Sequence, residues 1–186
     1  LNLNIGSGGA VLEDGEGALT LEIGSGGVVV DGHRGDITVD VSSGGAVLSE
    51  VSGELALFVS SGTLGNQLAI SLLTRPGDEV IVGEGAHVAF YESGAAPALS
   101  GVQLAVAGRG GLFGPDDLAE RVHATDAYYC PRSSLVCLEN THNRAGGKVF
   151  PQADVLRVTV RARALGLRLH LDGARLWNAA STAWRP

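Results

Sequence analysis

Glycine recurs every nine residues through the first third of the chain, at Gly8, Gly17, Gly26, Gly35, Gly44, Gly53 and Gly62. Pairs of these units make an eighteen-residue repeat, with copies opening at Gly6-Ser7-Gly8-Gly9, Gly24-Ser25-Gly26-Gly27 and Ser42-Ser43-Gly44-Gly45. Between the glycines apolar residues alternate: Leu19, Leu21 and Ile23; Val28 and Val30; Ile37, Val39 and Val41. Strict alternation predicts strands with one buried face, and the glycines supply turns that need unusual backbone angles. No unit this short buries its apolar face alone, so neighbours must stack, as in a β-solenoid or a tight meander.

Charge and composition change together near residue 53. Residues 1–53 carry eight acids against Arg34 alone, which is the whole formal charge of −7, and they contain no proline and no aromatic residue. Such a break predicts a domain boundary, with a glycine-rich β-repeat over 1–53 and a second domain over 54–186. The negative balance leaves no basic stripe to neutralise phosphates, so nucleic-acid binding is not expected. No apolar run is long enough to span a bilayer, which argues against a membrane role. Cys130 and Cys137 build neither a disulfide framework nor a zinc site, and no metal site is expected; reduced thiols point to a cytoplasmic protein. Arg34-Gly35-Asp36 reads as a solvated turn.

From Ser52 onward strands alternate with helices. Strands are predicted near Leu55–Val59, Glu79–Val82, Val102–Ala107, Leu135–Glu139 and Arg168–Leu171, and helices over Gly65–Leu73, Pro115–Val122, Pro151–Leu165 and Ala174–Ala180. The run Leu135-Val136-Cys137-Leu138 is apolar without alternation, as in strands covered on both faces. The order strand, helix, strand predicts parallel βαβ units, whose reactive loops lie at the carboxyl ends of the strands.

Three segments carry chemistry. Ser61-Gly62-Thr63 leads into a helix, where backbone N–H groups and a hydroxyl can cradle a phosphate, although a Ser or Thr helix cap is the commoner use of such a turn. His87 follows the strand Val80-Ile81-Val82 and precedes Phe90-Tyr91-Glu92; a half-buried histidine at a strand end is the bland reading. Asp172 ends the apolar strand Leu169-His170-Leu171, with Arg175 three residues on, a spacing that also suits a capping aspartate paired with an arginine.

Taken with Leu138-Glu139-Asn140-Thr141-His142-Asn143-Arg144-Ala145-Gly146-Gly147 and Leu73-Thr74-Arg75-Pro76-Gly77-Asp78, these segments resemble the low-specificity threonine aldolases. The resemblance runs from about Gly53 to Ala180 and decides against the capping reading of Asp172. It implies an α/β fold: part of the large domain of an aminotransferase-like (fold type I) pyridoxal-phosphate enzyme, a mostly parallel sheet with flanking helices, here preceded by the short all-β repeat. It further implies cleavage of threonine or allo-threonine, small β-hydroxy amino acids, to glycine and acetaldehyde, in a homo-oligomer. Ser61, Gly62 and Thr63 would hold the cofactor phosphate, and His87 would stack on its ring and act in catalysis. Asp172 would hold the ring nitrogen, and Arg175 would face the cofactor oxygen or the substrate carboxylate.

The same resemblance exposes departures. Family members hold the cofactor as a Schiff base on a lysine some 25–30 residues beyond the aspartate, whereas the only lysine of this chain is Lys148. Tyr129 stands where a histidine near the substrate hydroxyl is expected, and a tyrosine is a poor base at neutral pH. The expectation is therefore a partial domain, inactive alone. Residues 5–53 resemble bacterial adhesin-type repeats, closest at Arg34-Gly35-Asp36-Ile37-Thr38-Val39-Asp40. That leaves a second expectation: a binding or surface module with the α/β part as passenger.

Overall fold

The computed structural model describes residues 1–43, 45–123 and 128–183, so Gly44 of the glycine series and the closing Arg185-Pro186 lie outside the described residues. The chain divides into two compact units, Leu1–Leu64 and Gly65–Pro186.

Among its described residues the first unit contains seven strands: β1 (Asn2–Ile5), β2 (Gly9–Glu13), β3 (Leu19–Ile23), β4 (Gly27–Asp31), β5 (Ile37–Val41), β6 (Gly45–Ser49) and β7 (Leu55–Phe58). Odd and even strands separate into two parallel sheets, β1-β3-β5-β7 and β2-β4-β6. Partners lie eighteen residues apart throughout, as in Leu3 with Leu21 and Val28 with Ala46. The inward residues of both sheets form one core around Leu19, Leu21, Val28, Val30, Ile37 and Val39. Gly35 shows why glycine keeps its period. Its φ is +129° and a Cβ there would lie 2.4 Å from the Gly17 carbonyl oxygen, so no other residue fits.

Strand β7 lies on the repeat side of the division between the two units. It pairs with β5, Ile37 opposite Leu55 and Val39 opposite Leu57, so the first unit runs past residue 53 to Leu64. Leu55-Ala56-Leu57 satisfies both an alternating repeat strand and an apolar α/β strand, and the inward Leu55 and Leu57 find partners in the repeat core.

The second unit is α/β. Its strands are β8 (Glu79–Gly83), β9 (Gln103–Ala107), β10 (Ser133–Glu139) and β11 (Arg168–Asp172), all parallel in the order β11-β10-β8-β9. Helix α1 (Gly62–Leu73) leads into it, followed by α2 (His87–Phe90), α3 (Ala95–Ser100), α4 (Pro115–Arg121), α5 (Gln152–Ala164) and α6 (Leu176–Ala183). One face of the sheet, through Ile81, Ala105, Val136 and Leu138, packs on Leu118 of α4 and Val158 and Ala162 of α5. The other, through Val80, Val82, Leu135 and Cys137, packs on Ile70 of α1, Val88 of α2 and Ala96 of α3. Covering both faces accounts for the unbroken apolar runs. No helix among the described residues is long and apolar enough to cross a membrane.

The amino ends of the strands are locked by charge. The Arg132 guanidinium donates from Nε and Nη2 to the two oxygens of Asp78, at 3.0 and 2.7 Å. Burial would raise the Asp78 carboxyl, but bonds from Arg132, the Arg75 N–H and Ser134 outweigh it and hold the group below the usual carboxylate range. Glu79, also buried, accepts the Ser133 hydroxyl at 3.1 Å and faces His123 at 3.4 Å.

Candidate active site

Because the strands are parallel, their carboxyl ends share one edge of the sheet, which receives Glu139 from β10, Asp172 from β11 and, just past β8, His87 at the start of α2. The Glu139 carboxylate fixes two loops there, accepting the His87 backbone N–H and the Asn143 N–H, each at 2.8 Å. His87 is thereby held by its backbone, and its Nδ1 meets Glu92 Oε1 at 2.9 Å.

Glu92 is buried and fully bonded. Asn66 Nδ2 donates to its Oε1 at 2.8 Å and Gln67 Nε2 to its Oε2 at 2.6 Å. Asn66 Nδ2 also donates to Asp172 Oδ2 at 2.9 Å, and the other Asp172 oxygen accepts the Ala174 N–H at 3.1 Å. His170 Nε2 closes the network on Asn66 Oδ1 at 2.9 Å. Ligand atoms of His87, Glu92 and Asp172 all lie within 4.8 Å of one another. Burial pushes His170 below its ordinary value, and the nearby Asp172 and Glu92 only partly oppose it, so the ring is neutral. Burial pushes the Cys137 thiol up, and the same two carboxylates add to it; this inert thiol is core, not nucleophile.

The residues expected at the site divide. His87 and Asp172 come together. Ser61 and Gly62 are exposed and Thr63 half-buried at the start of α1 in the first unit, where the Ser61 hydroxyl accepts the Leu64 N–H at 3.2 Å as a helix cap. Arg175 is exposed and makes no ion pair with Asp172 among the described residues. Tyr129 is 78% exposed in a turn, its ring edge-on to Tyr128 with centroids 5.4 Å apart, and it is not brought to the cluster. Asn66, Gln67, Glu92, Glu139 and His170 complete the site although each stood in the sequence only as motif filler. Their partners lie as far as 106 residues away, beyond the reach of local pattern.

The donor set can be tested against pyridoxal phosphate. Each Asp172 oxygen accepts one N–H and keeps acceptor capacity for the N–H of a protonated pyridine. Beside it stands the half-exposed imidazole of His87. This noncovalent part fits. The covalent part does not: Lys148 is exposed on the loop after β10, where its carbonyl accepts the His142 N–H at 2.8 Å.

A parallel sheet covered on both faces, with a carboxylate and an imidazole at its carboxyl edge, is an α/β domain that resembles the threonine aldolase fold. The threonine aldolase of Leishmania major superposes with a TM-score of 0.60 at 30% identity, over 66% of this chain and 35% of that one. The model of the beta-eliminating lyase family matches residues 46–185, and the chain belongs to that family. Among its relatives, the low-specificity L-threonine aldolase of Escherichia coli is 37% identical over 120 residues, 63% of this chain and 35% of that protein. Low-specificity L-threonine aldolase 1 of Arabidopsis thaliana is 36% identical over 125 residues, 64% and 34% respectively. The chain spans about a third of the length of these relatives.

Proposed function

We propose that this chain carries the cofactor-ring site of a cytoplasmic, pyridoxal-phosphate-dependent carbon–carbon lyase acting on threonine or allo-threonine. The observation that carries the reading is the Asp172 carboxylate at the end of β11, held by Asn66 within 4.8 Å of the His87–Glu92 pair. When bound, the cofactor supplies an electron-poor ring that takes up the electron pair released at the substrate α-carbon. Asp172 keeps a proton on the ring nitrogen, and His87 stacks on the ring and presents Nε2 as proton acceptor. Ser61, Gly62 and Thr63 offer the start of α1 to the phosphate, and Arg175 offers its guanidinium to a carboxylate. Tyr129, exposed and away from the cluster, takes no part in this reading. The reading covers the noncovalent part of the cofactor site, and the enzyme acts as a homo-oligomer.

The test is titration of the chain with pyridoxal phosphate, followed by protein NMR. Saturable binding that perturbs His87 and is weakened in Asp172→Asn supports the reading. Binding confined to Lys148, detected by borohydride reduction and mass mapping, overturns it. Threonine cleavage by the chain alone is not expected.

A second reading gives the repeat unit a binding role of the adhesin type. Val11, Val29 and Val47 stand in register across β2-β4-β6, and all three are exposed. An apolar column on a solvent face is unusual for a strand that also buries its alternate residues.

A further inference from the structure

We infer that Asn66 is the positioning residue of this site, its single carboxamide orienting the Asp172 carboxylate, the His87–Glu92 pair and the His170 ring at once. The inference rests on the reading of Asp172 and His87 as cofactor contacts. It follows from the count of donors and acceptors. A carboxamide has two N–H groups on one side and an acceptor oxygen on the other. Here the nitrogen faces two carboxylate oxygens, Glu92 Oε1 at 2.8 Å and Asp172 Oδ2 at 2.9 Å, and carboxylates only accept. Turning the amide over would set its oxygen against both, so the orientation is forced.

Two proton positions follow. Asn66 Oδ1 can only accept, so His170 donates from Nε2, and its Nδ1 carries the lone pair. Burial of His170, which keeps the ring neutral, agrees with this. Glu92 Oε1 can only accept, so His87 carries its proton on Nδ1. In the neutral ring the lone pair is then on Nε2, which can take a proton. The two imidazoles thus hold opposite tautomers because they meet opposite ends of one network. Among the described residues, the other charged or titratable groups near His87 include Glu139, which accepts its backbone N–H, Asp172, the buried Cys137 thiol and the Tyr91 ring at 5.4 Å.

No other side chain of similar size does this. Leucine removes both donors and the acceptor. Aspartate places a third carboxylate against two. Serine offers one donor for two carboxylates.

The experiment is nitrogen-15 NMR of the cofactor-free chain with labelled histidine at pH 8. The expected wild-type result is protonation of His170 at Nε2 and of His87 at Nδ1. Asn66→Leu is expected to lose the fixed tautomer of His170 and to weaken pyridoxal phosphate binding as much as Asp172→Asn does. The Asn66→Leu/Asp172→Asn double variant is expected to bind no more weakly than either single one, because both act through the same carboxylate. If Asn66→Leu does not fold, Asn66→Ser serves, with the same tautomer loss and a smaller binding loss. Protonation of His170 at Nδ1 or of His87 at Nε2 in the wild type overturns the inference, as does an unchanged His170 tautomer in the variants. A wild-type chain with the expected tautomers that binds no pyridoxal phosphate leaves the orienting role of Asn66 standing and refutes the cofactor reading instead.

Discussion

The repeat unit and the α/β unit both rest on parallel strands, yet they bury apolar surface by different means. In the repeat, each strand meets a copy of itself eighteen residues on, and the two sheets enclose one thin core of Leu, Ile and Val. Where its turns stack backbone on backbone, as Gly35 does on Gly17, only glycine fits. In the α/β unit one sheet is covered by helices on both faces, giving two cores that include Phe113, Phe150 and Leu118. The carboxylates and imidazoles of the candidate site gather on one edge of that sheet, and the opposite edge is closed by ion pairs. A stacked repeat has no such polarity, because every rung resembles the last. The contrast separates a scaffold that gains stability by repetition from one that gains a site by crossing distant segments.

The largest expected effect tests where the α/β unit keeps its stability. Ile81 is fully buried in the central strand β8. Ile81→Ala should cost about 3–4 kcal/mol, transfer and cavity together, read as lost amide protection across β8, β10 and their helices. A cost below about 1 kcal/mol would mean that the sheet face is not closely packed.

The second effect tests the stacking of the repeat. Gly35→Ala forces a left-handed φ on alanine and sets its Cβ 2.4 Å from the Gly17 carbonyl oxygen. We expect a loss of about 2–3 kcal/mol, seen as faster exchange in β3, β5 and β7. A neutral outcome would show that the rungs can spread, and the parallel with a close-packed core would fail.

Legibility in the sequence differs between the units for the same reason. Repetition writes the register into the chain: the period of the glycines is the offset between partners. In the α/β unit the strands and the longer helices follow from hydrophobic pattern, with ends a residue or three away from those expected. Helices α2 and α3 do not, because four and six residues give too few turns to show a period and Gly85, Gly94 and Gly101 punctuate them as loop. Asp172 was visible as an acid ending an apolar strand. Glu92 was not, because its meaning lies in Asn66 and Gln67, which reach it only after folding. Strand β7 shows the limit from the other side: one alternating segment satisfied two folds, and pairing with β5 decided between them.

The third effect concerns pH and the charged edge of the α/β sheet. Asp78 has its carboxyl lowered in the fold, against an ordinary value near 3.9 in the unfolded chain. A lowered carboxyl contributes stability above the unfolded value and loses it as pH falls through the folded one, so the contribution is present at neutral pH, starts to decline near about pH 4 and is gone only below the lowered folded value. Arg132→Gln removes the principal partner. The acid unfolding midpoint of the α/β unit should move to higher pH, while the repeat, whose acids are exposed, should keep its own. An unchanged midpoint would place the acid sensitivity elsewhere.

The smallest effect brings the comparison inside a single strand. Val28, Val29 and Val30 are consecutive in β4 and identical in chemistry, yet Val28 and Val30 are 2% and 0% exposed and Val29 is 36% exposed. Period-two geometry sends the first and third inward and the second to solvent. Val30→Thr replaces a buried methyl with a hydroxyl that finds no partner among Leu19, Leu21 and Val39, at a cost of about 1–3 kcal/mol. Val29→Thr should change stability by less than about 0.5 kcal/mol, since threonine suits a solvent-facing strand as well as valine does. Equal costs at the two positions, measured by chemical denaturation, would mean that the outer valine column is covered, and the repeat would then have two buried faces, as the α/β sheet does.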